Sequence, residues 1–297
     1  LSGVPDLPDQ SGRSRTLRIL FLGDICARPG RDAVIQMTPG LRTELGLDFV
    51  IANAENVAAG YGITPGIADE LLKSGIDCLT LGDHVLDRKE VAGYLDKEPR
   101  LLRPLNYVSV LPDGTPGVPG TGVGLYSAGT FKVGVLNLLA RTFMKPVDCP
   151  FQRVKTEVER MREATQVIVV DFHGEATAEK LCMGYFLDGK VTAVLGTHTH
   201  VETADERVLP GGTAYITDVG MCGSRDSVLG MRPELAVRRM MLSVPLRLES
   251  SREDVRLHGV VLDIDVGTGK TLALQRFDRA HAPQTREPGP APVSRKE

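Results

Sequence analysis

Six histidines occur in the 297 residues, and four of them stand at or just beyond the ends of strongly apolar runs. LRILFLG leads to Asp24, DFVIANA to Glu55 and Asn56, CLTLG to Asp83 and His84, VIVVDF to His173, and TAVLG to His198 and His200. Three carboxylates, one carboxamide and four imidazoles offer mixed oxygen and nitrogen donors without thiolate. That mixture suits Mn, Fe, Zn or Co rather than Ca or an iron–sulfur cluster. Eight groups exceed what one tetrahedral ion uses, and a carboxylate can bridge two ions. A metal pair about 3.5 to 4 Å apart accounts for them, and such a pair clamps both oxygens of an in-line displacement at phosphorus. His198 and His200, two residues apart in extended backbone, would point to one side and serve one ion each. Taken singly, Asp24 reads as a helix cap and His173 as a hydrogen-bonded core residue; their joint placement argues for a site.

The elements that must position these groups follow from periodicity. Short continuous apolar runs at 17–23, 48–54, 78–82, 167–172, 192–196 and 214–219 read as strands covered on both faces. RDAVIQMTPGLRTEL and PGIADELLKSG between them have helical amphipathicity, the second opening with Thr64 as N-cap and Pro65 at N1. This predicts a largely parallel central sheet with functional groups at the carboxyl ends of its strands. Two stretches alternate instead: 122–140 reads as a strand pair turning near Gly129, and 255–277 as a pair turning around VGTGK. They shift the expectation to a two-layered, sandwich-like α+β arrangement. GTGKT lacks the first glycine of a phosphate-binding loop, since Ile264 stands there, and it reads as a hairpin turn. A single domain over 17–280 is expected, with residues 1–16 and 281–297 as mobile tails.

Composition narrows the classes. With 35 Lys and Arg against 38 Asp and Glu, no whole-protein field recruits extended nucleic acid or an anionic membrane, so any anion must be held locally. No apolar stretch is long enough to span a bilayer, and the cytoplasm is the expected compartment. The five cysteines lack CxxC spacing and read as buried apolar thiols. His258, inside an alternating strand, and His281, in the tail, read as structural residues.

The segments LFLGDICARPGR, IANAENVAAGYGIT, GIDCLTLGDHVLD, VDFHGEATAEK, LGTHTHVETAD and AYITDVGMCG resemble, in order, the calcineurin-like metallophosphoesterases, and more closely the YmdB-like branch of that superfamily. The resemblance implies an α+β fold with a central β-sandwich of mixed sheets flanked by helices. It implies that Asp24, Asn56 and His200 hold one metal and Asp83, His173 and His198 the other, with Glu55 bridging. His84 stands where the superfamily keeps a non-ligand histidine that protonates the leaving oxygen. The implied activity is hydrolysis of small phosphodiesters, 2′,3′-cyclic nucleotides among them, with iron or manganese as the ions and zinc as a further fit. A homo-oligomer is the expected assembly.

One departure is plain: the family usually reads GNH where this chain has Gly82, Asp83 and His84. An aspartate still ligates, but it lowers the net positive charge of a two-metal site. Asp83 is expected to weaken binding of an anionic phosphate or to favour a ferric ion. The expected chemistry is attack on phosphorus by a hydroxide formed between the metals, with His84 as proton donor. A phosphomonoesterase or protein phosphatase, and a nucleotide-binding regulator with slow turnover, are the competing readings. Asp87 and Asp205 are candidates for orienting histidines, Arg28 and Arg225 for contacting phosphate, and Gly60, Gly62, Gly220 and Gly223 for close backbone approach. Substrate specificity is expected in loops such as 104–121 and 141–150.

Overall fold

Alternate residues of the first apolar run face different layers. Ile19 and Phe21 pack in one cluster of buried side chains, whereas Leu20 and Leu22 pack in another. A strand must lie between two apolar layers to do this. A computed structural model describes residues 16–282. The expected tails fall almost wholly on residues 1–15 and 283–297, outside the described residues.

In chain order the first half contains β1 (Thr16–Leu22), β2 (Asp24–Ile25), α1 (Ala27–Leu45), β3 (Phe49–Asn53), α2 (Pro65–Lys73) and β4 (Cys78–Thr80). A short 3-10 turn leads into α3 (Ala92–Leu95), followed by β5 (Leu101–Leu102), β6 (Val123–Ala128) and β7 (Phe131–Leu139). The second half contains α4 (Pro150–Arg162), β8 (Ile168–His173), α5 (Thr177–Leu187), β9 (Ala193–Thr197), β10 (Arg207–Val208) and β11 (Ala214–Ile216). It ends with β12 (Met221–Ser224), α6 (Pro233–Leu242), β13 (Val255–Asp265) and β14 (Thr271–Ala280).

The strands form two sheets. One has the order β2-β12-β13-β1-β3-β4-β5, with β14 beside β13, and the other β10-β11-β9-β8-β7-β6. β1, β3, β4 and β5 are parallel in the first sheet, and β7, β8, β9 and β11 in the second. The two mixed sheets match the two-layered, sandwich-like α+β arrangement that the hairpins implied, and the largely parallel run of strands is shared between them. The physical reason lies in those hairpins. β7 pairs with β6 and opens a second sheet, and β13 returns antiparallel along the whole of β1, from Thr16 opposite Asp265 to Leu22 opposite Gly259.

Three apolar layers hold the sandwich together. Ile19, Phe21, Ile51 and Leu262 of one sheet meet Val135, Val169, Leu195 and Ile216 of the other. Leu20, Val50 and Leu79 face α1 and α2 through Val34, Leu41 and Leu71. Leu138, Val170 and Phe172 face α4 and α5 through Val154, Val158 and Met183. Burying a leucine-sized side chain contributes about 1.5–3 kcal/mol, so these layers dominate the favourable side of folding.

Local signals behave as read. Thr64 Oγ1 accepts from Ile67 N at 3.4 Å, with Pro65 opening α2. Gly129 turns between β6 and β7 with φ 59°. At GTGKT, Asp265 Oδ1 accepts from Gly267 N (2.8 Å) and Thr268 N (3.1 Å), so the turn's donors are already taken by the chain's own carboxylate. Of the cysteines, Cys26, Cys78 and Cys222 are buried; Cys149 is half-buried and Cys182 is exposed on α5, which corrects the uniform expectation. His258 pairs with Asp278 at 3.3 Å, and His281 Nε2 lies 2.9 Å from Gln36 Oε1. Among the described residues no helix is long and apolar enough to cross a membrane.

Candidate metal centre

The carboxyl ends of β1, β3, β4, β8 and β9 meet at one end of the sandwich, although they belong to two sheets. There His173 Nε2 lies 3.0 Å from Glu55 Oε1, 3.5 Å from Asp83 Oδ1 and 3.1 Å from His198 Nδ1. Glu55, Asp83, His173 and His198 offer four donor atoms within 4.8 Å of one another, a grouping that could hold a metal ion. Beside them Asn56 Nδ2 stands 3.1 Å from both Glu55 Oε1 and His200 Nε2, and His200 Nε2 is 3.8 Å from Asp24 Oδ1. All seven metal-ligand candidates read from the sequence therefore come together, with Glu55 between the two groups.

Close packing sets this geometry. A Cβ on Gly82 would overlap Glu55 Oε2 and His173 Nε2, so only glycine lets β4 run on to Asp83 past the cluster. His198 and His200 do not continue β9 in extended form; their φ angles are 103° and 64°. The expected same-side arrangement is corrected: left-handed backbone, not strand alternation, sends His198 towards His173 and His200 towards Asp24 and Asn56. Asp24 Oδ2 accepts from His198 N at 3.0 Å, and buried Lys180 donates to Thr197 O (2.7 Å) and Asp218 Oδ2 (2.9 Å). Asp218 Oδ2 also accepts from Thr199 N at 3.0 Å. These bonds hold an uncommon backbone in place.

A buried carboxylate beneath the cluster orients His173. Asp171 accepts from Thr80 Oγ1 (2.5 Å), Asn53 Nδ2 (3.0 Å) and Thr197 Oγ1 (2.7 Å). Thr197 spends its one proton on Asp171, so its oxygen accepts from His173 Nδ1 at 2.9 Å. That leaves the lone pair of a neutral His173 on Nε2, aimed at Glu55, Asp83 and His198. The sequence reading missed this chain of bonds. Its signal was the one acid inside the apolar run VIVVDF.

The electrostatics fit a cation. Burial pushes Asp24 well above the usual carboxylate range, with Asp218 and Glu55 adding to it against the pull of His173. Burial alone would depress His173, yet Glu55, Asp83 and Asp24 around it push its pKa well above 6.5. A proton on His173 Nε2 would stand where several carboxylates converge. Asp24 Oδ1 and Asp83 Oδ1 are buried with no hydrogen-bond partner, which an isolated protein surface would not tolerate cheaply. Burial and neighbouring His173 hold His198 down at about 4, so its ring is neutral and free to donate a lone pair near neutral pH. Buried carboxylate oxygens without partners beside neutral imidazoles match the donor chemistry of a first-row transition metal.

His84 stands at the edge of the cluster. Its backbone N donates to Glu55 Oε2 at 3.1 Å, and its Nδ1 lies 2.7 Å from Asp87 Oδ2. Lys145 donates from Nζ to the Asp83 backbone carbonyl, and the same atom is 4.0 Å from both Asp83 Oδ2 and Asp87 Oδ1. Asp205 serves elsewhere, accepting from Thr203 Oγ1 (2.6 Å) and Thr217 Oγ1 (2.5 Å), which corrects the suggestion that it orients a histidine.

The cluster opens into a cavity of about 800 Å³ lined by Glu55, Asn56, His84, His198 and His200 on one side. Leu229, Ala236, Met240 and Pro245, from α6 and the segments on either side of it, complete the lining. Neither loop 104–121 nor loop 141–150 lines it, which corrects the expected specificity loops; Lys145 of the second loop reaches Asp83 instead. Arg28 pairs with Asp32 and lines a different groove, and Arg225 is also absent from the cavity lining. Gly60 lines the cavity with φ 95°, whereas a Cβ on Gly220 would press on Glu202 and His258, a packing constraint away from the cavity.

Comparison with known proteins agrees with this geometry. The family model described as YmdB-like protein matches residues 20–277. A Bacillus subtilis protein named 2′,3′-cyclic-nucleotide 2′-phosphodiesterase is 44% identical over 261 residues, covering 88% of this chain and 96% of that one. A solved structure described as a novel phosphatase from Mycoplasma pneumoniae superposes with TM-score 0.81 at 32% identity, covering 89% of this chain and 94% of that one. A Staphylococcus aureus protein described as a putative 5′-nucleotidase shares the fold alone, with TM-score 0.57 at 13% identity over 92% of this chain and 56% of that one. With the family's segments in order, both sheets in place and residues 20–277 matched by the family model, the chain belongs to the YmdB-like family.

Proposed function

We propose that the chain is a metal-dependent phosphodiesterase that hydrolyses 2′,3′-cyclic nucleotides. The observation that carries this reading is the gathering of seven oxygen and nitrogen donors around buried, unpartnered Asp24 Oδ1 and Asp83 Oδ1, with His84 at their rim. In this reading Asp24, Asn56 and His200 would hold one ion and Asp83, His173 and His198 a second, with Glu55 between the two groups. Iron or manganese is the proposed pair, and zinc fits the same donors. When bound, such ions supply an acidified water and neutralise charge on a phosphoryl group.

The chain's own residues do the rest. Thr197 and Asp171 fix the tautomer of His173, and the Lys180–Asp218 pair fixes the turn carrying His198 and His200. Asp87 fixes the His84 ring. An imidazolium at His84 donates its Nδ1 proton to Asp87 Oδ2 and has a second, on Nε2, to give to the departing ribose oxygen. Lys145 adds a positive charge beside Asp83, offsetting the charge that aspartate brings where the family usually has asparagine.

The five free thiols fit a reducing, cytoplasmic compartment, which is part of the same proposal. A homo-oligomer is the proposed assembly, supported by the exposed Val237, Met241 and Leu242 on α6. The test is a substrate panel after elemental analysis: 2′,3′-cyclic and 3′,5′-cyclic nucleotides, bis-aryl phosphodiesters and phosphomonoesters. Preference for the 2′,3′-cyclic class supports the reading, and preference for monoesters overturns it.

A further inference from the structure

The cavity has two unlike ends. Beyond the histidines its lining is largely apolar, formed by Leu229, Ala236, Met240, Val244, Pro245 and Leu248. Hydrolysis at phosphorus needs none of these side chains. Met240 is 79% exposed and Leu229 47%, a cost that water-facing apolar surface repays only when something covers it. Backbone geometry holds the wall in place: Pro233 opens α6, and Ser243 ends it with φ 52°, which brings Val244 and Pro245 round to the cavity.

Two polar features frame this wall. Tyr61, 47% exposed, sits at the cavity with its ring edge-on to His84 at 5.2 Å. Arg88 donates to Tyr61 O (3.1 Å) and Ala58 O (2.6 Å), so the loop carrying that ring is preorganised. Arg239 lines the same cavity, is exposed and makes no ion pair among the described residues. Its planar fork suits paired acceptor atoms on the edge of a flat heterocycle.

We propose that this wall is a nucleobase subsite. The base lies over Leu229 and Met240, Tyr61 flanks it, and Arg239 donates to its edge while the phosphate faces the histidines. A cavity of about 800 Å³ has room for a mononucleotide. The inference rests on the phosphodiesterase reading and adds to it the part of the substrate that is recognised and the residues that recognise it.

The test is equilibrium binding to the full chain, which needs no turnover. By calorimetry, guanosine 3′-phosphate should bind about ten-fold more tightly than ribose 3-phosphate, the order expected for one stacked base. That ratio should fall towards one in Leu229→Ser/Met240→Ser and drop several-fold in Arg239→Met. Equal affinities in the wild type, or a ratio untouched by the substitutions, would overturn the subsite. Turnover of the 2′,3′-cyclic nucleotide is measured alongside. A base preference without turnover sinks the hydrolase reading and keeps the subsite, and turnover without a base preference does the reverse.

Discussion

His84 Nδ1 lies 2.7 Å from Asp87 Oδ2, three residues along the chain, so the ring proposed to donate a proton is oriented by a carboxylate from its own turn. Asp87→Asn keeps the shape and removes the charge. Steady-state kinetics should show kcat lower by about ten-fold or more, part of the 10²- to 10⁴-fold that a positioned acid typically contributes. Metal content should be unchanged. A wild-type kcat would show that Asp87 does not position His84.

Thr197 joins the metal cluster to the layer beneath it. Thr197→Val removes a hydroxyl that donates to Asp171 and accepts from His173. Stability should fall by about 1–3 kcal/mol because Asp171 loses a buried partner. Metal affinity should fall by about 10- to 100-fold because His173 loses its fixed tautomer. Thermal melts and metal titration read the two effects separately; unchanged metal affinity would contradict the role given to Thr197.

Lys145 and Asp83 should behave as a coupled pair. Lys145→Met should raise KM several-fold in the wild type, because Lys145 Nζ is 4.0 Å from Asp83 Oδ2 and offsets its charge. On an Asp83→Asn background the same substitution should matter less. Additive effects in the double-mutant cycle would show that the two side chains act independently.

The positions of the strands and of the clustered donor residues were legible because each donor follows an apolar run, and the run's length and its polar end are local properties. The partition into two sheets was not local: β13 pairs with β1 across more than 230 residues of chain, and only the hairpin pattern hinted at it. The left-handed φ of His198 and His200 is imposed by Asp24, Asp218 and Lys180, which no spacing rule connects. The α6 wall was missed because PELAVRRMML follows no strand end, although its exposed methionines were visible as an apolar surplus.

Asp205 gives a pH dependence. Burial raises its pKa, but hydrogen bonds from the Thr203 and Thr217 hydroxyls and Thr217 N outweigh that and hold it below the ordinary 3.8. A depressed folded pKa means a stability contribution that is complete above pH about 4 and is lost as pH falls through the lower folded value. Asp205→Asn should therefore lower the melting temperature at pH 7, and the gap to wild type should narrow in strong acid. A gap that is constant across that range would contradict the assignment.

The central claim is that the seven clustered residues hold metal while His84 acts on the substrate without holding it. Elemental analysis and 2′,3′-cyclic nucleotide turnover of wild type, His84→Ala and His173→Ala, measured on the same preparations, test it most directly. The account predicts bound metal and turnover in the wild type. It predicts metal retained with turnover down by about 10²- to 10⁴-fold in His84→Ala, and metal lost in His173→Ala. Full turnover in His84→Ala, or wild-type metal content in His173→Ala, would contradict it.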